Sequence, residues 1–272
     1  MVLELAARRP RLVPCAIYAP GRKVTQLAIE GKNIPGTLAK VASKLADLGV
    51  NILSGLVMAE PGRETGHMVF FLDITDSGLS EEELVGEIEE LDVVVKAEVT
   101  VKKIGDMAIN GTTHETVFLD KRAILLDVDD VGTMFGWFDR TFGTGAHAIL
   151  FDMGEQAGRL VAAKLMELYK LGGRDAIEAF LAIHGAAGWF GHEIVKYDEE
   201  RLEFVIRLHD NFECVPFKNK KDRPMSHLVR GGLAGVFSGI YGHDFGVEEV
   251  KCLAKGDPYC EFVIKPREEK KD

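Results

Sequence analysis

The stretch from Val247 to Phe262 limits the fold more than any other part of the chain. Cys252 and Cys260 stand four residues on either side of Gly256, and Gly256-Asp257-Pro258 is turn chemistry, so a hairpin here sets the two thiols opposite each other. Glu249 precedes Cys252 by three residues, an odd step along a strand, and joins the thiols only through a bulge or at a strand end. Two soft donors and one hard donor suit a structural zinc ion. A cross-strand disulfide or a pair of packed thiols accounts for the same spacing.

A chain of 272 residues exceeds the usual size of one domain, so two units, each with its own core, are expected. The formal net charge of -10 offers no positive field to a phosphate backbone, and Arg267, Lys270 and Lys271 are offset by Glu268, Glu269 and Asp272. No run reaches the roughly 18 to 20 apolar residues that span a bilayer. Arg8, Arg9 and Arg11 follow a short apolar patch instead of preceding it, the reverse of a secretory signal. The expectation is a cytoplasmic protein with no direct nucleic-acid or membrane partner. Cysteines at 15, 214, 252 and 260 are too sparse for a disulfide scaffold and favour thiol–metal chemistry.

Residues 1–21, with Pro10, Pro14, Pro20 and Gly21, read as an extended lead-in. A strand over 24–30 and a turn at 32–36 come next. The helix that follows carries Leu38, Val41, Ala42, Leu45 and Leu48 on one face and ends at Gly49. Strands over 51–59 and 67–74 flank Pro61-Gly62, a helix over 80–90 opens with a Ser-x-x-Glu capping box, and a strand covers 93–101. The order βαββαβ is the ferredoxin-like arrangement. It assigns a first domain to 22–104 and a polar linker to 105–117. A second domain at 118–267 then has a strand over 123–128, helices over 131–141, 154–171 and 174–183, strands over 188–197 and 201–208, a glycine-rich helix over 228–241 and a last hairpin, 246–253 with 259–265. Residues 268–272 form a charged tail. The fold class is α+β.

Asn33-x-Pro35-Gly36-x-Leu38 between strand and helix, followed by Leu48-Gly49-Val50-Asn51-Ile52, makes about residues 22–102 resemble an ACT domain. Gly36 lets backbone approach closely, Pro35 stiffens the turn, and the helix N-terminus presents free amides to a carboxylate. Such a turn can hold the backbone end of an amino acid. The family usually has an acidic residue where this chain has Asn33. The resemblance implies Asn33, Ile34, Gly36, Thr37, Leu38 and Asn51 as ligand contacts, at sites formed where neighbouring copies pair. A plain turn in a domain that serves only dimerisation is the alternative.

Gly231-Gly232-Leu233-Ala234-Gly235, Glu249-x-x-Cys252, Gly256-Asp257-Pro258-x-Cys260 and Gly185-Ala186-Ala187-Gly188-Trp189 make residues 118–267 resemble the 4-vinyl reductase domain. Its relatives include the sensory domains of phenol-responsive activators, and the fold is of the NO-signalling and Golgi-transport ligand-binding type. In those sensors zinc is held by a Glu, two Cys of the hairpin and a third Cys ahead of the glycine-rich helix. Glu249, Cys252 and Cys260 match, but Ser226 stands at the fourth place. The resemblance leaves three alternatives: His227 beside it, which is the first choice, Cys214, or an empty site. His184 falls where the sensors carry a ligand-contacting histidine, and their companion tryptophan is replaced by Leu208. A satisfied core histidine is the plain reading of His184. Trp137, Phe135, Phe138 and Phe142 line a cavity or form ordinary core or dimer contacts. Gly231, Gly235 and Gly239 form a ridge that favours close helix approach, within the fold or across a dimer.

The chain shows no dinucleotide fingerprint, P-loop, nucleophile elbow or His-Glu-x-x-His motif, so a catalyst is not expected. The leading expectation is a homodimeric sensor that binds an amino acid at the ACT turn and an apolar or aromatic compound in the second domain. With no DNA-binding or ATPase segment of its own, it would signal to a separate downstream protein. The rival is an accessory or reductase-type protein of tetrapyrrole or aromatic metabolism, which needs an electron source.

Overall fold

The structure is a computed structural model that describes residues 13, 15–111, 116–118 and 121–267. Most of the expected lead-in, residues 112–115 of the expected linker, and the charged tail at 268–272 lie outside the described residues. The chain divides into two compact units, Met1–Ile124 and Leu125–Asp272. Among the described residues no helix is long and apolar enough to cross a membrane.

The first unit opens with strand β1 (Ala16–Tyr18), then β2 (Val24–Lys32), α1 (Thr37–Asp47), β3 (Asn51–Met58), β4 (Thr65–Asp73), α2 (Glu81–Glu89) and β5 (Val94–Val99). The antiparallel sheet has the order β3-β4-β2-β5, the ferredoxin-like topology expected from the sequence. Leu27 and Ile29 of β2, Phe70 and Leu72 of β4, Val41 and Leu45 of α1, and Leu84 and Ile88 of α2 close one core. The capping box is formed: Ser80 Oγ accepts from the Glu83 amide at 3.1 Å, and Glu83 returns the contact to the Ser80 amide at 2.8 Å.

The linker expected at 105–117 is in part a second, smaller sheet. Strands β6 (Lys102–Ile104) and β7 (Met107–Ile109) form a hairpin, and β1 adds to β7 with Ile17 opposite Ala108. The reason is packing: Val24, Phe71 and Ala108 make a buried cluster that Ile17, Ala19 and Val101 cover. Gln26, fully buried, accepts from Thr100 Oγ1 and the Gly111 amide, both at 3.0 Å, which fixes the polar stretch that lacked a sequence period. A short hairpin, β8 (Thr116–Phe118) with β9 (Lys121–Ala123), follows.

The second unit comprises α3 (Val128–Phe142), α4 (Thr144–Glu167), α5 (Gly173–Ala186), β10 (Gly191–Asp198), β11 (Glu203–His209), α6 (His227–Tyr241), β12 (Phe245–Lys251) and β13 (Cys260–Pro266). Its antiparallel sheet has the order β10-β11-β13-β12. Phe204, Ile206 and Leu208 of β11, Phe262 and Ile264 of β13, and Leu233, Val236 and Phe237 of α6 lie in one buried core. The strand expected over 123–128 is shorter and earlier, because Asp127 accepts from the amides of Asp129 and Asp130 at 2.7 and 3.3 Å and so starts a helix at Val128.

Helices α4 and α6 cross backbone to backbone. A Cβ added at Gly231 would collide with the Phe151 carbonyl oxygen, at Gly235 with that of Glu155, at Gly154 with that of Leu228 and at Gly158 with that of Gly232. The glycine ridge therefore serves a contact within this unit. Buried Glu213 fixes the start of α6, accepting from the amides of Leu228 and Val229 at 2.8 and 2.9 Å.

Candidate metal centre and ligand sites

The register of β12 against β13 slips between Glu249 and Lys251, which is the bulge that the odd spacing from Glu249 to Cys252 requires. Lys251 faces Glu261, so the next position outward sets Cys252 beside Cys260. The loop between them is fixed from within: the Asp257 carboxylate accepts from the Cys252 amide at 2.8 Å, and the Cys252 carbonyl accepts from the amides of Lys255 and Asp257 at 3.0 and 3.2 Å. Gly256, with φ of 103°, takes the left-handed turn that its side-chain neighbours could not adopt without strain.

A third thiol arrives from the loop after β11. The Cys214 and Cys252 sulfurs lie 3.5 Å apart, and one ligand atom from each of Cys214, Glu249, Cys252 and Cys260 falls within 4.8 Å of the others. All four residues are buried, and the three thiols are free. Ser226 orients the carboxylate, its hydroxyl donating to Glu249 Oε1 at 2.8 Å and its amide to Oε2 at 3.1 Å. Asn211 Nδ2 donates to Ser226 Oγ at 2.8 Å and points at the sulfurs of Cys214 and Cys260 from 3.8 and 3.7 Å.

Burial pushes the Glu249 carboxyl up to about 8, helped by the neighbouring Cys252 sulfur and opposed by the Ser226 donors. Donation from Cys214 and Cys260 lowers the Cys252 pKa, while the same contact with Cys252 raises that of Cys214. Three sulfurs and one carboxylate, enclosed together, are the donor set of a closed tetrahedral zinc site. The residues therefore fit a structural divalent ion.

At the end of β2 in the first unit, a cavity of about 110 Å³ is lined by Asn33, Ile34, Thr37 and Leu38 together with Met58 and His67. Gly36 has φ of 95°, and α1 begins with no side-chain cap on its first amides. Asn33 is spent on structure: its Nδ2 donates to the carbonyls of Glu60 and Arg63 at 3.2 and 3.0 Å. Thr37 Oγ1 likewise donates to the Lys32 carbonyl at 2.8 Å. Asn51 does not join these residues. It pairs with Asp73 at one end of β4, whereas the turn follows Lys32, which pairs with Thr65 at the other end, about 27 Å away along the strand.

An ACT domain model matches residues 25–92, and a 4-vinyl reductase domain model matches residues 204–266. An uncharacterised protein of Methanocaldococcus jannaschii, MJ0150, is 30% identical over 125 residues, covering 46% of this chain and 68% of that protein. The chain carries an ACT domain and a 4-vinyl reductase-type domain and belongs to one family with MJ0150. A second uncharacterised protein of that organism, MJ0855, is 41% identical over 76 residues, which is 27% of this chain and 31% of that protein. Among solved structures, the phenol-responsive sensory domain of the transcription activator PoxR with phenol shares the fold of 64% of this chain and 88% of its own, with a TM-score of 0.50 at 18% identity.

Within the 4-vinyl reductase domain His227 is not part of the thiol cluster. Its ring stacks on His147 with centroids 4.0 Å apart, both ring nitrogens lack partners, and burial followed by the nearby His147 and Arg230 charges lowers its pKa to about 3. Cys214, in the loop after β11, is the fourth member of the cluster, while the ring of His227 is turned to His147 of α4. His184 lies near the end of α5, its Nδ1–H donating to the Phe180 carbonyl at 2.7 Å and its ring edge-on to Trp189 at 4.8 Å. Burial lowers its pKa, and the Phe180 contact opposes that shift. Leu208 is fully buried in the core. Trp137 and Phe142 are about half exposed and pack edge-on against each other on the outer side of α3, which makes them a surface cluster.

Proposed function

We propose that the protein is a small-molecule sensor in which an amino acid occupies the ACT turn and an apolar or aromatic compound sits near His184 in the 4-vinyl reductase domain. In this reading zinc is bound by Cys214, Glu249, Cys252 and Cys260. It supplies a cross-link between the β11 loop and the last hairpin, and the structured second unit reports through a homodimer to a partner protein. The observation that carries the reading is the cavity beside the uncapped start of α1, because amides at a helix N-terminus are a ready site for a carboxylate. His184 supports the second half, since Nδ1–H is engaged with the Phe180 carbonyl and Nε2 of a neutral ring can accept from a ligand hydroxyl.

Thermal-shift measurements on the full chain against single amino acids and against phenols test both halves separately. A bound ligand raises the melting temperature by mass action. Met58→Trp, at a half-exposed position on the cavity wall, is expected to abolish the amino-acid shift and leave the aromatic one. His184→Ala is expected to do the converse. Absence of any shift with either class, in protein that contains its metal, rules the sensor reading out.

A further inference from the structure

A second cavity, in the 4-vinyl reductase unit and of about 470 Å³, is lined by His147, Phe151 and Asp152 of α4, Arg230 of α6, Val247 of β12 and Arg267. It shares no residue with the thiol cluster or with the surroundings of His184. Arg230 makes no side-chain hydrogen bond or ion pair with any described residue, and its Nε is buried without a partner. Its guanidinium lies 5.3 Å from the centroid of the Phe151 ring, and that of Arg267 lies 5.7 Å from the same ring. Arg267 pairs with Glu155 at 3.2 Å and Arg159 with Asp244 at 2.6 Å, whereas Arg230 has no carboxylate in direct contact among the described residues.

Its position makes that charge costly. Arg230 stands in the first turn of α6, which holds no acidic residue of its own, and the buried Glu213 carboxylate at this helix start is spent on the Leu228 and Val229 amides. One turn back, His227 is 6% exposed and both of its ring nitrogens are unmatched, so this single turn holds two polar side chains without partners. In a chain of net charge -10, an unpaired arginine over an aromatic wall calls for an anion from outside. Exposed Asp152 on the rim repels a dianion more than a monoanion, which favours a carboxylate over a phosphate. Phe151 and Val247 offer an apolar surface to the rest of the molecule.

We infer that this cavity is a binding site for a small organic carboxylate, whose charged end pairs with Arg230 and whose apolar body lies on Phe151 and Val247. The site is independent of the ligands proposed above. Isothermal titration of the full chain with benzoate tests it, with benzamide as the uncharged analogue of the same shape. Saturable benzoate binding is expected, about tenfold weaker in Arg230→Gln from loss of a charge-assisted pair, with benzamide binding about tenfold more weakly than benzoate. Equal binding of the two probes, no benzoate binding at all, or tighter binding of inorganic phosphate than of benzoate would overturn the assignment without any variant. Loss of benzoate binding in His184→Ala with retention in Arg230→Gln would overturn it as well.

Discussion

Asp139 is held by three donors: His147 Nε2 at 2.7 Å, and Lys221 Nζ and Arg223 Nη2 both at 2.8 Å. Burial alone would raise its pKa, but the three hydrogen bonds outweigh burial and hold the carboxyl well below the usual range. The unfolded chain therefore takes up this proton first as the pH falls. The stabilisation is complete above the ordinary carboxylate range and is lost progressively below about pH 5. Asp139→Asn is expected to cost about 2 kcal/mol at pH 7, since it leaves three partly exposed donors facing an amide, and to flatten the acid limb of stability followed by urea unfolding. A variant whose acid limb matches the parent protein would sink this account. At the thiol cluster, Cys214→Ser is expected to lower bound zinc, measured by elemental analysis, while His227→Ala leaves it at the parental level. The reverse result would restore His227 as the ligand.

Secondary structure was legible where local chemistry decides it. Ser80-x-x-Glu83 is a capping box in the sequence and forms one in the structure, and Ser80→Ala is expected to cost about 1 kcal/mol, read as a lowered denaturation midpoint of the ACT unit. The hairpin of Cys252 and Cys260 was legible for the same reason, as its turn and its bulge follow from spacing. The fourth member of the cluster was left open among His227, Cys214 and an empty site, because Cys214 lies 38 residues before Cys252 and only the path of the chain after β11 brings it there. The apolar run 123–128 misled in the opposite way: Asp127 turns its end into a helix, and Ile124, Leu125 and Leu126 remain exposed. The glycine ridge was readable as a close approach, though not which partner it approached. Gly235→Ala should cost about 3 kcal/mol or more, since its methyl group meets the Glu155 carbonyl, and the melting temperature of the 4-vinyl reductase unit should fall by several degrees. An unaffected melting temperature would show that the two helices can part without penalty.

For the molecule as a whole, two units were expected from length alone, and the polar stretch with no period that was read as a linker includes a covering hairpin. The outer side of α4 exposes Ile149, Met153 and Leu160, each at least half exposed, and α3 adds Trp137 and Phe142. Such a run of apolar surface fits the proposed homodimer. Light scattering is expected to give two copies for the parent chain and one for the Met153→Glu, Leu160→Glu double variant, with a single copy of the parent at every concentration as the contrary result. The inner side of the same helix gives this surface its meaning. Ser226 ties the head of α6 to Glu249, and α6 then rests on α4 with no layer of side chains between them. Packed side chains can take up a small displacement by changing rotamer, whereas touching backbones cannot. The two helices are thus geared together at their backbones, with no cushion of side chains to absorb a change in their spacing.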